Sequence, residues 1–130
     1  YILFDAKAAK QGYEIDTTAI RQFSDYVNNF LSKYEKILGK AHSFLCISGK
    51  FKASEKVLIK RSDELYSKSG TRLALFDCNN VCNCINFFLD NLHLRQVTDW
   101  REVFSKTVIL SKDVIRTAKS SQRDLIMGNS

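Results

Sequence analysis

Residues 42–77 read HSFLCISGKFKASEKVLIKRSDELYSKSGTRLALFD, and their order decides the fold. The stretch opens with a short apolar run, HSFLCISG (42–49), that ends at Gly49. It closes with a second such run, RLALFD (72–77). Short apolar runs bounded by turn residues predict buried strands. Between them ASEKVLIKRSDELYSK (53–68) predicts a helix, with Val57, Leu58, Leu65 and Tyr66 inward and Gly70 as its stop. Strand, helix and strand in immediate succession are the repeating unit of a sheet with parallel strands.

The same alternation extends outward. Upstream, YILFDA (1–6) predicts another buried strand, and KAAKQGYEID an irregular connection. From Thr17 onward Ile20, Phe23, Val27, Phe30, Leu31, Tyr34 and Leu38 recur at three- and four-residue spacing. That is the apolar stripe of a long amphipathic helix. Asp16, Thr17 or Thr18 can cap its start, and Gly39 ends it. Downstream, VCNCINFFLDNL predicts a helix, and DWREVFSK and the segment after Ser111 predict shorter ones. The order β-α-β-α-β-α implies an α/β fold, a mixed or largely parallel central sheet flanked by helices. No repeat, low-complexity tract or proline divides the chain, so residues 1–130 are expected to form one domain, with 121–130 as a tail or linker.

Composition narrows the classes. The 130 residues carry a net charge of +6, which suits a polyanionic partner as well as a mildly basic soluble surface. No apolar run is long enough to span a bilayer. YILFDAK places an acid where a signal peptide has its basic segment. The chain begins without Met and inside an apolar run, as expected of a piece of a longer polypeptide. Cys78, Cys82 and Cys84 form C-x3-C-x-C, with Cys46 apart and His93 the one downstream histidine within reach. Structural zinc sites use paired C-x2-4-C spacings, and on a helix Cys82 and Cys84 would lie on different faces. Reduced thiols of a cytosolic protein are the simpler expectation. His42, His93, Trp100 and the phenylalanines are expected to be structural.

The first strand ends in Asp5-Ala6-Lys7. Residues two apart on a strand share a face, so Asp5 and Lys7 project together and Ala6 points away. A carboxylate beside a lysine suits metal-assisted phosphodiester hydrolysis. The acid binds a hard divalent ion such as magnesium, Mg²⁺, which polarises the phosphate and acidifies a bound water. The lysine positions or helps deprotonate that water, or stabilises developing negative charge. The Ala6 carbonyl is a further metal ligand within reach. Alone, D-x-K also fits a salt-bridged pair at a strand end.

Context adds to it. FDAKAAKQGYEIDTTAIRQFSDYV, with its D-x-K, then Gly12-Tyr13, then a helix carrying Asp25-Tyr26-Val27, resembles the catalytic core of the FokI-type (type IIS) restriction endonuclease cleavage domains. FLCISGKFK (44–52) is similar to that family's strand ending in S-G-x-F-K. The resemblance spans roughly residues 2–85 and is vaguer beyond. It implies a restriction-endonuclease-like fold and the PD-(D/E)xK nuclease superfamily. It also implies Mg²⁺-dependent hydrolysis of double-stranded DNA in the cytoplasm of a prokaryote, with site recognition by a domain elsewhere in the parent chain. Asp5 and Lys7 would be catalytic, with Asp5 and Ala6 at the metal. The family's first acid has no counterpart among the four residues before Asp5, which is expected from truncation; Glu14 is a poor substitute.

In that family the long helix contributes to a cleavage dimer. Here it carries Arg21 and Asp25, base before acid, the weaker order within one helix. Across a two-fold axis Arg21 of one copy meets Asp25 of the other, so a transient homodimer or a partner nuclease subunit is expected. Lys50 and Lys52, just after a strand, are expected to contact the DNA backbone, and Lys52, Lys56 and Lys60 fall at helical spacing beside Arg61. No sequence-reading element stands out. The alternative is a catalytically inactive partner with the nuclease fold that binds DNA or dimerises. A chance D-x-K in an unrelated domain would instead bury Lys7 in an ion pair with no open cleft.

Overall fold

The computed structural model of the 130-residue chain describes residues 1–128. Three strands, β1 (Ile2–Lys7), β2 (Ser43–Ser48) and β3 (Arg72–Asp77), form one sheet in the order β1-β2-β3. Both neighbouring pairs are parallel. Parallel neighbours require crossovers, which α1 (Thr17–Leu38) and α2 (Glu55–Ser69) supply. Four helices follow: α3 (Cys78–Asp90), α4 (Leu92–Val97), α5 (Trp100–Val103) and α6 (Ser111–Ile126).

The sheet separates two cores. Phe44, Cys46, Leu73 and Leu75 face Ala19, Ile20, Phe23 and Val27 of α1 and Leu58 and Leu65 of α2. Leu45, Ala74 and Phe76 face the other way, onto Cys84, Phe88, Leu94, Val103, Val114 and Ala118 of α3–α6. A strand buried on both faces has no polar alternation, which is why residues 44–47 and 73–76 are uniformly apolar. This is the α/β architecture expected from the sequence. The second layer stops short of β1. Ile2 packs against that core, but Phe4, on the same face, is 72% exposed.

Local signals act where expected. The Asp16 side chain accepts the Ala19 N–H at 2.8 Å and so caps α1. Gly39 ends it at φ +74°, its N–H donating to the Glu35 carbonyl. Other expectations need correcting. Tyr34 and Leu38, placed in the apolar stripe of α1, are exposed because the helix outruns the sheet. Val57 and Tyr66 are exposed too, and the Tyr66 ring carries the Arg72 guanidinium at 4.4 Å. Lys52 precedes α2, so it does not share a helix face with Lys56 and Lys60. Residues 121–126, expected in a tail, continue α6, while 129–130 lie outside the described residues.

The sequence reading also missed an extended segment at 107–109. The Leu75 N–H donates to the Thr107 carbonyl at 2.6 Å, and the Ile109 N–H to the Leu75 carbonyl at 2.9 Å. This short parallel bridge through Val108 covers the outer side of β3.

Candidate active site

β1 occupies one edge of the sheet. Leu3 packs against the α1–α2 core, so Asp5 and Lys7, at the same parity, face that side. Lys7 Nζ lies 2.8 Å from Asp5 Oδ2, and the two side chains are 24% and 30% exposed respectively. The hydrogen bond to Asp5 raises the Lys7 pKa above the ordinary lysine value, with partial burial opposing. Lys7 is therefore a cation at neutral pH.

The parallel register surrounds this pair. Asp5 lies beside Cys46, and Lys7 beside Ser48, which is in turn level with Asp77. Burial, followed by the Asp5 carboxylate, pushes the Cys46 thiol up to about 12, so the acid's neighbour on β2 is neutral. Ser48 Oγ donates to the Lys7 carbonyl at 2.8 Å and pins the end of β1. The Asp77 carboxylate is committed to capping α3, accepting from the Asn80 N–H at 2.8 Å and from its Nδ2 at 3.0 Å.

The pair opens on both sides. Asp5 lines a groove of about 340 Å³ with Leu3, Phe4, Tyr26, Phe30 and Phe44. Lys7 lines a hollow of about 660 Å³ that includes Lys10, Ser48, Gly49 and Cys78. A chance D-x-K sealed in a closed ion pair is thus not what the fold contains: the pair is formed, but solvent reaches it.

Tyr13 belongs to the same neighbourhood and was not singled out as a site residue from the sequence. Its N–H donates to the Lys50 carbonyl at 2.8 Å, and the Lys52 N–H donates to its carbonyl at 3.0 Å. Burial raises its phenol pKa, with Cys46 adding and the Lys7 cation opposing. This bridge fastens the loop after β1 to the segment after β2, and it leaves Lys50 and Lys52 exposed at that end of the sheet. Ser48 was missed as well. Ser48 was findable by aligning the ends of two parallel strands, which sets S-G-x-F-K beside D-x-K, whereas Tyr13 arrives through its bridge to Phe51.

Gly12 makes the bridge possible. It has φ +104°, and a Cβ there would lie 2.9 Å from Lys52 Cγ and 3.1 Å from Lys50 Cγ. Gly12→Ala is expected to cost on the order of 1–3 kcal/mol in backbone strain and to push both lysines aside. A thermal melt should show a lower midpoint; an unchanged midpoint would contradict the strain.

The remaining sequence candidates are dispersed. Arg21 and Asp25 are exposed one turn apart on α1, and no ion pair joins them. Glu14 is exposed. Among the described residues no group of three or more His, Cys, Asp or Glu converges in a way that could hold a metal ion. The thiols are unpaired: Cys46 and Cys84 are buried, and Cys78 and Cys82 are exposed. His42 Nε2 lies 3.0 Å from the Arg101 carbonyl, and Trp100 packs on Phe88 with its Nε1–H donating to the Arg95 carbonyl. Both are structural roles. No described helix is long and apolar enough to cross a membrane.

A parallel α/β sheet with an acid and a lysine side by side at an open edge is the arrangement expected of a nuclease cleavage domain. The family described as "FokI, cleavage domain" matches residues 1–111, and the chain belongs to that family. The match runs well past residue 85, where the sequence resemblance thins, and takes in α3–α5 and the segment at 107–109. Comparison with curated proteins and with solved structures gave no match. A cleavage domain of this family implies DNA as the substrate.

Proposed function

We propose that this chain is the Mg²⁺-dependent cleavage domain of a type IIS restriction or nicking enzyme of the PD-(D/E)xK superfamily. The observation that carries the reading is the solvent-reachable Asp5–Lys7 pair on the edge strand of a FokI cleavage-domain fold. Mg²⁺ is commonly held by one or two carboxylates together with waters and substrate phosphates. Asp5, facing an open groove, fits as one such carboxylate, and the Ala6 carbonyl is the further ligand proposed. Bound there, the ion would polarise the phosphate and acidify a water.

Lys7 acts as a fixed cation. A lysine ammonium is protonated at neutral pH with or without its Asp5 partner, which favours charge stabilisation on the phosphate oxygens over proton abstraction. Exchanging the part-exposed contact with Asp5 for one with substrate costs about 0–1 kcal/mol. Lys50 and Lys52 position the duplex through its phosphates without reading sequence. Residues 1–130 act as one nuclease domain, and a recognition domain elsewhere in the natural polypeptide selects the site.

Arg21 and Asp25 form a self-complementary dimer patch. Arg21→Asp sets acid against acid across the two-fold axis and is expected to shift plasmid products from linear to nicked. The double reversal Arg21→Asp/Asp25→Arg restores the pairing and the linear product. A double variant that still only nicks would remove this patch from the dimer.

The reading is tested by incubating the full natural polypeptide with supercoiled plasmid in Mg²⁺ and in chelator. Nicked or linear product is expected with the metal alone. No product in Mg²⁺ would favour a catalytically inactive nuclease-fold partner. That second reading is supported by the lack, among the described residues, of any group of three or more His, Cys, Asp or Glu that could hold a metal ion.

A further inference from the structure

On α6, Lys112, Arg116, Lys119 and Arg123 are spaced four, three and four residues apart. At 3.6 residues per turn they fall within an arc of about 60°. That arc lies opposite Val114, Thr117 and Ala118, the buried face of the helix. All four cations are exposed, and with Ile115 and Gln122 they line an open groove of about 480 Å³ that contains no acid. Asp113 reaches Arg116 from the flank at 2.8 Å and lies 3.9 Å from Lys106. Among the described residues Lys112, Lys119 and Arg123 have no carboxylate within ion-pair distance.

Like charges one turn apart weaken a helix, a repulsion that the Asp113–Arg116 pair and the Phe87 ring, 6.0 Å from Lys119 Nζ, offset only in part. An external polyanion relieves that repulsion. At 1.5 Å per residue the stripe extends about 16 Å, and duplex DNA carries one charge per about 1.7 Å of axis, so several phosphates fall within its span. We infer that this face of α6 is a second DNA-backbone contact, holding phosphates of the duplex without reading its sequence. The choice of duplex DNA over other polyanions rests on the nuclease reading. The four cations lie beyond residues 1–111, so the family match assigns them no role.

The test is fluorescence-anisotropy titration of a duplex oligonucleotide with the full natural polypeptide, in chelator and across a salt series. Lys112→Gln/Lys119→Gln/Arg123→Gln is expected to flatten the plot of log affinity against log salt by about 2–3, near 0.9 per lost phosphate contact. Lys112→Arg/Lys119→Arg should keep the slope. If the triple variant melts early, Lys119→Gln and Arg123→Gln singly should each lower the slope by about 0.9. An unchanged slope overturns the inference. So does a loss confined to anionic vesicles or an acidic peptide with DNA binding intact. Cleavage by the wild type is read separately: cutting with an unchanged slope sinks this surface alone, and no cutting with an α6-dependent slope sinks the nuclease reading alone.

Discussion

Lys7→Ala is expected to slow Mg²⁺-dependent plasmid cleavage by at least about a hundredfold, the usual effect of removing one donor aimed at developing charge. Fold and duplex binding should change little, because the Lys7–Asp5 pair is part-exposed and contributes little to stability. Lys7→Arg separates the possible roles. Arginine keeps the positive charge but cannot give up its proton. If Lys7 acts as a cation, the arginine variant recovers part of the lost rate. If it acts as a base, arginine is as inactive as alanine. The raised Lys7 pKa also fixes the direction of any pH effect on the pair. Its stabilisation is complete below the ordinary lysine pKa and fades as pH rises through the higher folded value, so neutral buffers leave it intact.

Phe23→Ala has the largest expected effect on stability. Phe23 is 0% exposed, and its ring stacks on Phe44 at 4.7 Å, joining α1 to the central strand. Truncating a buried phenylalanine costs about 3–5 kcal/mol, a large share of the roughly 5–15 kcal/mol that holds a domain together. The melting midpoint should fall by about 10–20 °C. Because α1 also carries Tyr26 and Phe30 along the Asp5 groove, cleavage should be lost at a lower temperature in step with unfolding. A melt within a few degrees of wild type would mean that α1 is not anchored through Phe23.

Most of the fold is legible in the sequence, for identifiable reasons. Residues 44–47 and 73–76 lie between the two cores, so their uniform apolarity marks them as strands. Asp16 and Gly39 bound α1 with local chemistry that needs no tertiary partner. The errors arise where tertiary placement decides. Tyr34 and Leu38 keep helical spacing, yet lie where α1 outruns the sheet, and Val57 and Tyr66 sit about 100° off the Leu58–Ser62–Leu65 face that α2 buries. Lys106–Leu110 holds too few residues to show a period, and Val108 is extended only because Leu75 offers it an edge.

The site was legible in part. Asp5 and Lys7 share a face because strand geometry requires it, and the structure brings them into contact. Ser48, Cys46 and Tyr13 join them through strand register and the Tyr13–Phe51 bridge, which no local pattern encodes. Arg21 and Asp25 are on the surface, as a dimer patch requires, but a single chain carries no record of what faces them.

The most direct test of the Asp5–Lys7 centre is the rate of plasmid cleavage in Mg²⁺ by Asp5→Asn protein beside wild type, both checked by melting and duplex binding. Asparagine keeps the shape and removes the charge that would hold the metal. The expected result is no cutting above background by a folded, DNA-binding variant. Cutting at the wild-type rate would show that Asp5-Ala6-Lys7 is only the charged end of an edge strand and that the chemistry lies elsewhere.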